Sequence, residues 1–282
     1  MASTTDHGVD QAISFTQADF DKVRKLIHQR AGISLHEGKR AMVYSRLTRR
    51  LREGGHTDVA SYLRWLEDAG GAQAEAEWQE FINCLTTNLT SFFREEHHFF
   101  ALTDLLRGRF AGKGRGPRIW CCAASTGEEP YSIAMVVNEE LGPQHGATLL
   151  ATDIDTQVLA TARRGVYDAQ ARGLSPERLK RHMQRGTGAN SGRIRVRPEL
   201  ARMIDFQPFN LISPRWSLGE PFDLVFCRNV MIYFDHTTQR EVLARIHAAM
   251  RPEGVLFVGH SENFTDARTL FHLQGKTIYR RV

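Results

Sequence analysis

The chain has 282 residues, 41% of them hydrophobic, and 37 Lys and Arg against 32 Asp and Glu give it a formal net charge of +5. That length and apolar content admit one large domain with a small companion, and they exclude wholesale disorder. No apolar run approaches the ~18 residues of a spanning helix, the start M-A-S-T-T-D-H-G has no signal-peptide core, and a modest basic excess suits an acidic partner without implying nucleic acid. Cys84, Cys121, Cys122 and Cys227 show no C-x-x-C spacing, so they read as reduced core residues of a cytoplasmic protein.

Residues 1–14 form a flexible terminus by composition. Helical periodicity follows over 15–70: Phe20, Val23 and Ile27 share a face, as do Val43, Leu47 and Leu51, then Val59, Leu63 and Leu66. Gly32 and Gly54-Gly55 act as helix stops, with Thr57 or Asp58 as an N-cap. This predicts a small helical domain, and Gly70-Gly71 opens a linker helix over 71–85. With Val43, Leu47 and Leu51 inward, Arg46 and Arg49 fall on the exposed flank, with Lys39 and Arg50 nearby. That face is either a solvated flank or a docking surface for an acidic helix.

A second domain is expected over 86–282. In T-T-N-L-T-S-F-F-R-E, Asn88 and Thr90 are good N-cap types ahead of the stripe Phe99, Leu102, Leu105 and Leu106. A basic, Gly-rich loop then leads into R-I-W-C-C-A-A-S-T-G-E-E-P-Y-S-I-A-M, Arg118 to Met135: a buried strand, a tight turn and a helix whose first turn holds Glu128 and Glu129. Strands at Thr148 to Thr152, Met203 to Pro208, Phe222 to Cys227 and Gly254 to Gly259 alternate with helices at Gln157 to Arg164 and around Gln239 to Met250, and Thr277 to Arg281 resembles a terminal strand. The pattern predicts an α/β fold, a doubly wound, mostly parallel Rossmann-like sheet with its ligand at the carboxyl strand ends. A polar excursion, about 170–200, carries a short helix capped by Ser175 and the alternation Arg193, Ile194, Arg195, Val196, Arg197. It reads as a small antiparallel β-insertion with an arginine-lined strand edge, either kept soluble by charge or open to an acidic peptide.

Helix N-termini attract anions, yet two carboxylates occupy this one. A pyrophosphate would meet like charge there, whereas the sulfonium and ammonium of S-adenosylmethionine fit. Asp153, ending the second strand, is placed to bind ribose hydroxyls, with Asp155 as N-cap of the next helix. Asn210 can read an adenine edge. Arg228, Asn229 and Tyr233 follow a strand end, and Arg94 can grip an acidic substrate or the cofactor carboxylate. His97 and His98, adjacent on a helix, are expected to point to different sides and to share no metal. A carboxylate acceptor needs no general base, since a Glu of pKa ≈ 4.3 is ionised at neutral pH. C-R-N-V-M stands where amine-methylating enzymes of this fold carry an N-P-P-Y-type run, which lowers the nucleic-acid reading. A nucleic-acid methyltransferase and a non-catalytic cofactor-sensing module are the alternatives.

T-N-L-T-S-F-F-R-E, A-A-S-T-G-E-E-P-Y-S-I-A-M, T-D-I-D, F-C-R-N-V-M-I-Y-F and G-H-S-E-N-F together resemble the CheR-type chemotaxis receptor glutamate methyltransferases, over nearly the whole chain. The resemblance implies S-adenosylmethionine-dependent O-methylation of glutamates on the cytoplasmic helices of chemoreceptors, with no metal and no nucleic-acid partner. It marks Asn88, Thr90, Arg94, Glu128, Asp153, Asn210, Leu211, Arg228 and Asn229 as cofactor-site positions, and Tyr233 as a neighbour of the reactive methyl. Arg94 and Tyr233 are then the expected catalytic residues, and Arg46, Arg49 and Arg50 the receptor-docking ones. The loop Gly186 to Gly192 has the length of family members whose β-insertion tethers a receptor C-terminal peptide.

Overall fold

A computed structural model describes residues 13–264 and 267–282, so residues 1–12 of the flexible terminus expected at 1–14 lie outside it. The described residues divide into two compact units, 13–30 with 34–85 and 31–33 with the described residues from 86 onward.

The first unit is helical: α1 (Gln17–Ala31), α2 (Arg40–Glu53), α3 (Val59–Asp68) and α4 (Gly71–Leu85). The three predicted apolar stripes are all buried. Asp58 caps α3, accepting from the Ser61 N–H at 2.8 Å. The expected linker helix over 71–85 needs correction: α4 packs on α2 and α3 and buries Ala74, Trp78, Phe81, Ile82 and Leu85. Those positions recur at helical spacing beneath an Ala/Glu-rich outer face, whose polarity reads as a connector from composition alone. The Glu77 carboxylate on α4 takes the Arg50 Nε–H of α2 and the Tyr62 hydroxyl of α3, each at 2.8 Å.

The second unit begins with α5 (His97–Arg109), β1 (Arg118–Cys121), α6 (Glu128–Leu141), β2 (Thr148–Asp153) and α7 (Thr156–Arg164). An insertion follows with β3 (Val166–Asp168), α8 (Pro176–His182), β4 (Met183–Arg185), β5 (Arg193–Val196) and α9 (Pro198–Ala201). The main sheet resumes with β6 (Ile204–Pro208), β7 (Phe222–Cys227), α10 (His236–Ala249), β8 (Met250–Val258), β9 (Phe271–Gly275) and β10 (Ile278–Arg281). Strand order is β6-β2-β1-β7-β8-β10-β9, with every pair parallel except β8–β10 and β10–β9, so that β10 runs against the rest. Helices cover both faces, so the strands read as apolar runs, and side-chain alternation sends successive residues into two cores. Ile119, Cys121, Leu224, Phe226, Val255 and Phe257 enter one with α5 and α6; Trp120, Cys122, Val225, Cys227, Leu256 and Val258 enter the other with α10. The chain order reverses between β1 and β7, which opens a crevice at their carboxyl ends.

Three expectations need correction. Asn88 and Thr90 cap no helix, since α5 starts only at His97 after a loop. The arginine-bearing β5 is the middle strand of the small sheet β3-β5-β4 and not an edge. Arg193 and Arg195 lie exposed on its outer face, and the free edges belong to β3 and β4. β9 escaped the sequence reading because it is a short rim strand with Leu273 61% exposed, so it carries little of the burial pattern that marks a strand. Among the described residues no helix is long and apolar enough to cross a membrane.

Candidate active site

The crevice is built from the loop before α5, the β1–α6 turn, and the carboxyl ends of β2 and β7. In the turn, Ser125 at φ +48° and Gly127 at φ +101° reverse the chain onto the start of α6. Gly127 is obligatory by space as well as by angle. A Cβ there would lie 2.6 Å from the Tyr167 hydroxyl and 2.9 Å from the Ala162 Cβ.

Glu128, partly buried at the first position of α6, has its carboxylate 2.6 Å from the Thr126 hydroxyl. Burial pushes its pKa up, against that hydrogen bond. Asp153, at the end of β2, accepts the Ser125 N–H at 2.8 Å and the Asp155 N–H at 2.9 Å. Burial nonetheless raises its pKa to about 6, opposed by those amides and assisted by the Asp155 charge. Asp155 caps α7 as expected, and also receives the Thr86 hydroxyl at 2.6 Å and the Asn88 amide at 2.7 Å. The Asn88 carbonyl accepts the Ser125 hydroxyl at 2.9 Å. Asn88, Ser125, Asp153 and Asp155 therefore form one network that joins the 86–90 loop to the turn. Thr90, partly buried, lies two residues along that loop.

Arg94 sits between Phe93 and Glu95, two non-glycine residues in the left-handed region at φ +53° and +57°. Such backbone is held by its surroundings. The Arg94 guanidinium donates to the Leu89 carbonyl at 2.9 Å, and its own carbonyl accepts from Arg228 at 2.5 Å. Arg228 is fully buried beneath the crevice, 2.6 Å from Glu129 and 3.4 Å from Glu95. Its guanidinium thus braces the Arg94 loop against α6. Glu129, expected to be a simple helix-start acid, is the buried partner of this arginine, and burial raises its pKa against the Arg228 charge.

Asn229 (φ +55°) leads away from β7. Its backbone N–H, with those of Val230, Met231 and Gly259, donates to the buried carboxylate of Glu262 at 2.6–2.9 Å. Tyr233, partly buried, follows in a short 3-10 turn. Beyond β6, the side-chain oxygen of Asn210 accepts the Ile212 N–H at 3.1 Å, and Leu211 is buried. The sequence reading missed Glu95, Glu129 and Glu262 as organisers of this region. Glu262 lay in the quoted run G-H-S-E-N-F, but a carboxylate that works by collecting backbone amides leaves no spacing signature. The expectation that His97 and His98 diverge is corrected: at the first turn of α5 their rings lie 4.1 Å apart.

Of the docking residues, Arg49 is 71% exposed at its side chain, with Glu53 3.9 Å away, whereas Arg50 turns inward to Glu77 and is 18% exposed. Arg46 is partly buried. The exposed basic face of α2 is therefore narrower than the periodicity implied.

The residues present fit S-adenosylmethionine on one observation. Glu128, partly buried, and Asp153, buried, are carboxylates with raised pKa values at the mouth of the crevice, where a cationic group and hydroxyl donors would offset the burial. A family model described as "CheR methyltransferase, SAM binding domain" matches residues 88–280, and one described as "CheR methyltransferase, all-alpha domain" matches 18–86. A chemotaxis protein methyltransferase of Escherichia coli K12 is 50% identical over 95% of this chain and 92% of its own length. One from Salmonella typhimurium is 49% identical with the same coverage, and chemotaxis protein methyltransferase 2 of Pseudomonas aeruginosa is 47% identical over 96% of this chain and 95% of its own length.

Proposed function

The chain belongs to the CheR methyltransferase family, acting in chemotaxis with S-adenosylmethionine, and on that premise we propose that it esterifies glutamate side chains on the cytoplasmic helices of chemoreceptors. The observation that carries the chemistry is the acidic start of α6. A helix terminus suited to anions holds the Glu128 carboxylate, which favours a cofactor with a cationic amino-acid end. When bound, the cofactor supplies an electrophilic methyl group on sulfur.

The chain's own residues do the rest. Glu128 receives the ammonium group. Asp153 accepts the ribose hydroxyls through oxygens already aimed by the Ser125 and Asp155 amides. Asn210 and Leu211 border the adenine, while Asn88, Thr90 and Asn229 frame the crevice. Arg94, held from below by Arg228, grips a carboxylate, and Tyr233 stands beside the transferred methyl. The acceptor glutamate is already ionised at neutral pH, so the rate rests on alignment and exclusion of water, and no proton need be removed. The basic face of α2, with Arg46 and Arg49, docks the acidic methylation helix, and the free edge of the small sheet accepts a receptor C-terminal peptide.

Incubation with cofactor labelled in the methyl group and receptor-containing membranes tests this directly. Label on receptor glutamates that is released by mild base supports it. Base-stable label, or label on nucleic acid, would overturn it.

A further inference from the structure

Beside the cofactor crevice, one side-chain cluster is left chemically incomplete. Glu95, His97 and His98 each offer one ligand atom, and the three atoms lie within 4.8 Å of one another. Glu95 Oε2, His97 Nε2 and His98 Nδ1 are buried and have no hydrogen-bond partner. The protonation of His98 can be deduced. Its Nε2 lies 2.8 Å from the Thr277 hydroxyl, which spends its own proton on the Lys276 carbonyl at 2.7 Å. With the hydroxyl so engaged, the Thr277 oxygen accepts in the tautomer that carries the imidazole proton on Nε2. Nδ1 is then a bare lone pair, and it faces Glu95 Oε2 at 3.6 Å. Two acceptors confront each other with no hydrogen between them.

The balance of charge admits a cation. Arg228, which lies against the cluster, is shared by two carboxylates, Glu95 at 3.4 Å and Glu129 at 2.6 Å. His260, 67% exposed, touches the other Glu95 oxygen at 3.1 Å.

We propose that Glu95, His97 and His98 form a binding site for a divalent transition-metal ion of the zinc type, adjoining the Arg94 loop of the cofactor crevice. Two imidazole nitrogens and one carboxylate oxygen are a common three-ligand zinc set with a fourth position left to water. Tetrahedral bonds of roughly 2.0–2.1 Å need ligand atoms about 3.4 Å apart. The Glu95–His98 pair is already near that distance at 3.6 Å, and all three ligand atoms lie within 4.8 Å of one another. The Thr277–His98 hydrogen bond is the outer contact that fixes a ligating imidazole's tautomer. Occupancy draws Glu95 away from Arg228, and Arg228 is what holds the Arg94 carbonyl, so the bound ion is inhibitory.

The test is titration of chelator-treated, full-length protein with Zn²⁺ and Co²⁺, followed by calorimetry and by the visible spectrum of Co²⁺. One equivalent is expected to bind with a Kd of about 10 μM or tighter, with a tetrahedral Co²⁺ spectrum free of thiolate charge transfer. His97→Gln should weaken it by at least tenfold while leaving metal-free S-adenosylmethionine affinity intact, and Cys84→Ala should bind like the unmodified chain. Methylation should fall on adding Zn²⁺ and recover with chelator, but much less steeply in His97→Gln. Absence of a binding event below about 100 μM, a thiolate-bound Co²⁺ spectrum, or equal affinity in His97→Gln would each overturn the site. None of these metal readouts depends on which group is methylated.

Discussion

Asp153 shows how a single side chain serves two purposes at once. Its oxygens already hold the amides of Ser125 and Asp155, yet burial keeps its pKa near 6. An Asp raised in the fold above its unfolded value of about 3.9 favours the protonated form. It therefore contributes stability that is full below about pH 4 and lost as pH rises through about 6. Ribose hydroxyls, on the proposed contact, would act in the opposite sense, because they would donate to the ionised carboxylate. Cofactor affinity should accordingly climb between about pH 5 and 7, and the climb should be absent in Asp153→Asn. Calorimetry across that range decides it, and a parallel climb in the variant would remove Asp153 from the cofactor's contacts. Asp153→Ala should cost about 1.5–3 kcal/mol of binding if the ribose bonds are charge-assisted. Glu262 performs the same amide-collecting service one strand away and was invisible in the sequence. A carboxylate that meets four backbone N–H groups from 229–231 and 259 has partners that are not side chains at all.

At the scale of elements, α2 divides its arginines between structure and surface. Arg50 and Tyr62 converge on Glu77, so one carboxylate ties three helices together. Burial raises the Glu77 pKa, and hydrogen bonds from Arg50 and Tyr62 more than reverse the effect. Glu77→Gln should lower unfolding stability by about 1.5–3 kcal/mol, seen as an earlier urea midpoint; an unmoved midpoint would show the pin to be idle. Arg46 and Arg49 lie on the other side of this division. Reversing both to Glu should slow receptor methylation several-fold and leave S-adenosylmethionine affinity untouched, whereas a normal rate would reduce the face to a solvated flank. The helices and parallel strands were legible because their faces are buried at regular periods. What stayed hidden was set by partners distant in sequence: the packing of α4, the central place of β5, the inward turn of Arg50, and the Arg228–Glu129 pair separated by 99 residues. The network from Asn88 to Asp155 was half legible. Both residues stood out by type and Asp155 caps α7 as expected, but Asn88 caps no helix and instead donates its amide to Asp155.

For the molecule as a whole, a net charge of +5 and a pI near 9.2 favour long-range attraction to an acidic partner, such as the proposed receptor helix. The electrostatics of the crevice are short-ranged by comparison, since Glu128 and Asp153 are sheltered from solvent ions. Salt separates the two. The Debye length shrinks from about 10 Å at 0.1 M to about 3 Å at 1 M, which screens exposed charges far more than buried ones. The rate constant kcat/KM for receptor membranes should therefore fall several-fold over that range, while S-adenosylmethionine affinity measured calorimetrically changes by less than about twofold. Charge reversal at Arg46 and Arg49 should flatten the salt dependence of the first quantity without altering the second. A steep response that survives the double substitution would move the steering from α2 to the arginines of the small sheet, where Arg193 and Arg195 stand exposed on the central strand.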